Sequence, residues 1–136
     1  MYIIGFDFGT KNIGVAIGQT LTFTAQPLQS IQSKHSIPNW NIITNILFEW
    51  KPKIIVVGLP LNMDGTKQNI TYQAETFANQ IETKFYLQVK LHDERLSTIE
   101  AKSILFQKHG FKSLDKTKID SISAMIILES WFQKNI

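Results

Sequence analysis

The sequence predicts a mixed α/β fold, a partly antiparallel sheet with helices on both faces. Three observations carry that reading. Short apolar runs crowd the first 26 residues, as in a meander of consecutive strands. Later runs alternate with amphipathic segments of helical length, and such alternation requires parallel crossovers. Residues 53–58 (Lys-Ile-Ile-Val-Val-Gly) are apolar and β-branched almost throughout, which marks a strand covered on both faces.

The elements follow in order. Residues 2–8 and 12–18 read as a strand pair joined at Gly9-Thr10-Lys11, and a third strand over 21–26 ends at Pro27. Residues 28–37 are polar and read as loop. Pro38 is placed to open a helix, in which Trp40, Ile43, Ile46, Leu47 and Trp50 form a core-facing stripe at helical spacing. After the strand at 53–58, the loop 59–67 carries Pro60 and the turn pair Asp64-Gly65. A helix over 68–83 follows, then a strand over 85–92 with Phe85, Leu87, Val89 and Leu91 alternating. Ser97-Thr98-Ile99-Glu100 matches a capping box and starts a helix that ends near His109-Gly110. The last helix spans 118–134.

A chain of 136 residues with 43% apolar content and no repeat or linker is expected to be one domain, residues 1–136. It has no cysteine, which removes disulfides and thiolate metal sites. It also lacks a signal-peptide pattern and any apolar run long enough to span a bilayer, so a cytoplasmic location and no membrane partner are expected. The net charge of +3 is too mild to announce a nucleic-acid partner by itself. Any basic surface must be local, and only one of the 14 bases is an arginine, Arg95.

The acids are informative because there are only eleven. Asp7 sits between two phenylalanines in a strand and just before Gly9, and burying a carboxylate costs several kcal/mol unless something compensates. Glu49, Glu75, Glu82 and Glu129 read as solvated helix faces, Glu100 as a cap and Asp115 as loop. Asp64 is explained by its turn. Asp93 and Glu94 stand where a strand gives way to a helix cap, and Asp120 falls in the first turn of an apolar helix. Each has a structural explanation alone. Brought together, Asp7, the Asp93-Glu94 pair and Asp120 would repel one another and invite divalent cations, with oxygen ligands suiting Mg²⁺ or Mn²⁺. Two such ions about 4 Å apart support phosphodiester hydrolysis. Thr10, Lys11, Arg95, Ser97, Thr98 and Lys118 stand beside these acids and suit a phosphate backbone. His35, His92 and His109 share no metal-ligand spacing and read as surface or turn residues, with support of its neighbour Asp93 as the alternative role for His92. Nucleophile-elbow, P-loop and dinucleotide motifs are absent.

Four stretches resemble one family. Gly5-Phe6-Asp7-Phe8-Gly9-Thr10-Lys11 through Gly14-Val15-Ala16 is similar to the first motif of the YqgF family, also called RuvX. Residues 57–66, then Asp93-Glu94-Arg95-Leu96-Ser97-Thr98 with Glu100-Ala101, and Lys118-Ile119-Asp120-Ser121 with Ala124 and Ile127-Leu128, resemble the other three. The resemblance implies an RNase H-like fold, a three-strand antiparallel meander plus parallel strands flanked by helices, related to Holliday-junction resolvases. It implies a nuclease acting in 5′-end maturation of pre-16S rRNA in ribosome biogenesis. It further implies that Asp7, one acid of the Asp93-Glu94 pair and Asp120 form a metal-dependent centre, and Glu94 is favoured for its longer reach. On this reading the catalytic acids are Asp7, Asp93, Glu94 and Asp120, with Asp7, Glu94 and Asp120 as metal ligands. Asn12 stands where the family commonly has arginine, and Ser123 where it has alanine.

Three alternatives stand beside this reading. The substrate could be branched DNA, and the expected state is a monomer or weak homodimer, whereas resolvases pair two centres. The chain could be a ribosome-assembly factor that binds RNA without cutting. Asp-x-Gly-Thr also resembles the phosphate loop of actin-like and sugar-kinase ATPases, but those clamp nucleotide between two such domains and this chain has length for one.

Overall fold

In the computed structural model, residues 1–96 and 120–135 are described. Among them, β1 (Tyr2–Asp7), β2 (Asn12–Gln19), β3 (Thr24–Lys34) and β4 (Ile37–Pro38) run in succession, followed by α1 (Trp40–Trp50), β5 (Ile54–Leu59), α2 (Asn69–Phe85) and β6 (Gln88–Asp93). A 3₁₀ turn, Glu94–Leu96, ends the first described stretch, and α3 (Ile122–Asn135) forms most of the second.

The sheet order is β4-β3-β2-β1-β5-β6. β1–β2, β2–β3 and β3–β4 pair antiparallel, while β1–β5 and β5–β6 pair parallel. This is the expected meander followed by crossovers. Strand alternation sorts the core into two layers. Ile4, Phe6, Val15, Ile55 and Val57 pack with Ile43 and Leu47 of α1 and Ala74, Phe77 and Ile81 of α2. Ile3, Ala16, Ala25 and Val56 pack with Ile122, Met125, Ile126, Leu128 and Trp131 of α3 on the other face. Helices therefore cover both faces, and the predicted stripe of α1 lies in the first layer, with Trp40, Ile46 and Trp50 at its rim.

Several sequence expectations need correction. β3 does not end at Pro27 but continues to Lys34, through most of the predicted loop, and β4 follows. Pro27 pairs with Ala16 of β2, and β4 reaches only Ser33 and Lys34, so among the described residues no strand pairs with β3 on its other side at Pro27, an edge position where proline is tolerated. Pro38 closes β4 instead of opening α1. Asn39 is the N-cap, and its side chain accepts from the Ile42 N–H at 3.3 Å. β6 starts at Gln88, because Phe85 is the last residue of α2 and Tyr86 closes that helix in a left-handed conformation (φ 55°) without the glycine that usually signals a stop. The helix predicted from Ser97 to near His109-Gly110 lies outside the described residues.

His92 is also corrected. It is buried at 4% exposure, and its Nε2 lies 2.8 Å from the Ser130 Oγ of α3. Burial holds its imidazole below the usual value of 6.5, partly offset by Asp93. A second buried polar link joins sheet and helix. The β2–β3 register shifts between Ile13 and Val15, and the Val15 N–H donates to the Ser121 Oγ at 2.9 Å.

Two predictions follow from these links. Ser121→Ala leaves the Val15 N–H buried without an acceptor and should cost about 1–3 kcal/mol in urea unfolding. Ser123→Ala, two residues on at a half-buried position, should stay within about 0.5 kcal/mol. The unfolded chain binds a proton at His92 near pH 6.5 while the folded chain resists it, so stability should fall as pH drops below 6.5, by at most about 1.4 kcal/mol per pH unit. His92→Gln should flatten that slope in urea melts across the same range. The matching contribution of Asp93, whose pKa is lowered, falls away only below the usual 3.8 and so does not overlap.

Candidate active site

The candidate site is built at the C-terminal end of β1. Asp7 pairs with Gly14 of β2, and Phe6 pairs with Val57, which sets Asp7 level with Gly58 of β5. Gly58 in turn pairs with His92 of β6. A row of Gly14, Asp7, Gly58 and His92 thus crosses the sheet. Asp7 shares a strand face with Ile3, which packs against α3, so this row faces that helix.

The two glycines beside Asp7 explain why other acids can approach it. A Cβ on Gly14 would lie 2.5 Å from the Asp120 carbonyl oxygen and 3.2 Å from the Ser121 Cα. A Cβ on Gly58 would lie 3.1 Å from the Glu94 carboxyl carbon and 2.5 Å from the Ile127 Cδ1. Hydrogen atoms at these positions let the Asp120-Ser121 backbone settle on one neighbour of Asp7 and the Glu94 side chain on the other. Ser121 fixes the first approach. It stands immediately before α3, its carbonyl accepts the Met125 N–H at 3.0 Å, and its hydroxyl is spent on Val15. Asp120 is therefore held at the helix start, where its side chain is exposed.

The Asp93-Glu94 pair divides its labour. Both Asp93 oxygens accept from the Arg95 Nε, at 3.1 and 3.0 Å, and Oδ2 also accepts from Nη2 at 2.7 Å. The Arg95 N–H adds a bond to Oδ1 at 2.9 Å. This side-chain clamp holds the Asp93 carboxyl below its usual range. Glu94, one residue on, carries its carboxyl over Gly58. Arg95 further donates from Nη1 to the Met63 carbonyl at 3.3 Å, tying the β5–α2 loop to the end of β6. The guanidinium of Arg95, expected to hold substrate backbone, bonds Asp93 and the Met63 carbonyl in the structure.

The remaining expected residues are less gathered. Thr10 and Lys11 are exposed in the β1–β2 turn, where the Lys11 carbonyl accepts the Ser33 N–H at 2.8 Å. Asp64 serves its turn, accepting from the Thr66 N–H at 2.9 Å and the Thr66 hydroxyl at 2.6 Å, and the hydroxyl bond most of all lowers its pKa. Ser97, Thr98 and Lys118 lie outside the described residues. Among the described residues, no three carboxylate or imidazole groups stand together as a formed metal-ligand cluster. What the fold supplies is the approach of the Glu94 side chain to Gly58 and of the Asp120 backbone to Gly14, on either side of Asp7 at one end of the central strand β1. Sequence reasoning assigned no role to Ser121 or to Gly14 and Gly58. A serine between an acid and an apolar helix was the available signal; the place of the two glycines beside Asp7 follows only from the strand register.

Comparison with known proteins gives this geometry a family. The chain matches the family model described as "RuvX: Holliday junction resolvase" over residues 1–134. A protein of Proteus mirabilis (strain HI4320) named "Putative pre-16S rRNA nuclease" is 57% identical over 132 residues, covering 97% of this chain and 95% of its own length. The protein of the same name from Escherichia coli (strain K12 / DH10B) is also 57% identical over 132 residues, covering 97% and 96%. Among solved structures, T. thermophilus RuvC in complex with Holliday junction substrate aligns with a TM-score of 0.62 at 14% identity, over 98% of this chain and 94% of that one. Fowlpox virus resolvase with substrate Holliday junction DNA aligns with a TM-score of 0.62 at 17% identity, over 98% of both chains. Those identities speak for the fold, the RNase H-like arrangement of RuvC-type resolvases. The match over residues 1–134 and the near full-length relatives carry the further conclusion that this chain belongs to the RuvX family.

Proposed function

We propose that this chain is a metal-dependent endonuclease that hydrolyses phosphodiester bonds, as one RNase H-like domain in the cytoplasm, during 5′-end maturation of pre-16S rRNA. The observation that carries the reading is the approach of Glu94 and of the Asp120 backbone to the two glycines that flank Asp7. The names of the 57% identical relatives supply the substrate class.

Asp7, Glu94 and Asp120 would hold the metal. When bound, Mg²⁺ or Mn²⁺, acting as a pair, supplies an activated water and charge stabilisation at the leaving oxygen. Asp7, on the central strand, is the acid placed to be shared between the other two. Asp93 is a positioning residue: by engaging Arg95 it turns the carboxyl of Glu94 toward Gly58. Lys11, exposed in the turn after Asp7, is the described cation best placed to meet a phosphate, and Thr10 stands beside it. Ser97, Thr98 and Lys118 complete the proposed substrate contacts by sequence.

A second reading keeps the chemistry and changes the substrate to branched DNA, which the description of the family model favours. Cleavage of a four-way DNA junction and of a pre-16S rRNA fragment by one preparation separates the two. A monomer or weak homodimer is the state proposed for the first reading.

Asp7→Asn should lower cleavage of the rRNA fragment at least about a hundredfold with the melting temperature preserved. Activity equal to the parent, in protein freed of contaminating nuclease, would contradict the assignment. Chelation should abolish cleavage, and added Mn²⁺ or Mg²⁺ should restore it. Glu94→Gln should match Asp7→Asn in cleavage. Asp93→Asn should keep a larger share of activity but lower stability, since it weakens the Arg95 clamp, as thermal melts beside the cleavage assay would show.

A further inference from the structure

On the opposite face of the sheet from α3, but at the same end as Asp7, the molecule carries a hollow of about 290 Å³ that no role above uses. Its walls include Phe8, Trp40, Tyr72, Gln73, Thr76 and Gln80. Phe8 follows Asp7 by one residue. Trp40 opens α1, and Tyr72 and Gln73 lie in the first turns of α2, directly after the loop that leaves β5. The floor is closely packed: Phe77 is buried and in ring contact with Phe8 at 5.3 Å and Trp40 at 5.8 Å between centroids. Tyr72, by contrast, is 56% exposed.

The chemistry of this hollow is selective. Its faces are largely aromatic, and its polar groups are the neutral amides of Gln73 and Gln80 and the hydroxyls of Ser36 and Thr76, with no ionisable acid or base among the described lining residues other than the Tyr72 phenol. The cations sit outside it. Lys67 Nζ lies 5.3 Å from the Tyr72 ring centre and 3.1 Å from Glu75. A neighbouring hollow of 560 Å³ shares Ile37 and Pro38 with it and is bordered by Lys34 and His35. Ser33, in that second hollow, bonds the Lys11 carbonyl, so the two hollows connect the pocket to the turn beside Asp7. A matching ligand is flat, apolar on its faces and polar at its edges, and continues into an anionic chain outside the pocket. That is a nucleobase within a strand, and aromatic platforms with flanking lysines are how single strands are commonly held.

We propose that this pocket binds one unpaired base of the substrate strand, stacked on Tyr72, with Lys34 and Lys67 along the adjoining backbone. The proposal rests on the nuclease reading and adds to it a requirement for single-stranded character next to the cut. The test is equilibrium binding in chelator, without turnover, of a short single-stranded RNA and of the same sequence as a perfect duplex. Tyr72→Ala, at an exposed position, should weaken single-strand binding about tenfold and leave duplex binding within about twofold. Equal single-strand affinity for parent and variant would overturn the proposal, as would equal loss on both probes. Adenosine monophosphate competing as well as the oligonucleotide would also overturn it, since that identifies a free-nucleotide pocket. Because no cleavage is involved, unchanged binding with Asp7→Asn inactive sinks the pocket alone. Reduced binding in Tyr72→Ala with Asp7→Asn fully active sinks the nuclease reading alone.

Discussion

The hydrogen bond from the Val15 N–H to the Ser121 hydroxyl seats the start of α3 on the sheet, and the candidate site depends on that seat. A residue placed just before a helix ordinarily turns its side chain back to cap it. Ser121 instead spends its hydroxyl on a backbone donor beside the register shift in β2 and β3. With Gly14 under it, the Asp120-Ser121 backbone rests where any larger residue would push it away. An acid distant from Asp7 in sequence is thereby delivered to the strand position opposite it.

A second constraint works on the other side of Asp7. Two adjacent acids stand at the end of β6, and Arg95 engages the first of them. Its bidentate grip on Asp93 neutralises that carboxylate, and its remaining reach to the Met63 carbonyl fixes the loop after β5. Glu94 then lies over Gly58. The only arginine of the chain is thus a clamp within the protein, built where planar, two-point recognition of a carboxylate is needed.

Much of the architecture was legible because burial writes periodicity into sequence. The β-branched run of β5, the stripe of α1 and the crowded opening strands led to the right sheet and the right layers. The misreadings came from places where local chemistry is overridden by context. Pro27 looked like a strand end, but an edge position tolerates it. Tyr86 closes α2 in a left-handed conformation that no glycine announces, so the start of β6 was read too early. His92 gave no sign of burial, because its partner Ser130 comes from an element 38 residues away. The scarcity of acids and the family resemblance pointed to Asp7, Glu94 and Asp120 as a group, and the structure brings the Glu94 side chain and the Asp120 backbone to the glycines beside Asp7. The glycines that permit this approach are intelligible only once the register sets them level with Asp7.

The most direct test is an anomalous-scattering map from crystals soaked in Mn²⁺. A peak with ligands from Asp7, Glu94 and Asp120, and none from Asp93, is the result this account predicts. A peak at Asp93, or no peak at the end of β1 while Mn²⁺ occupies other sites, would contradict it.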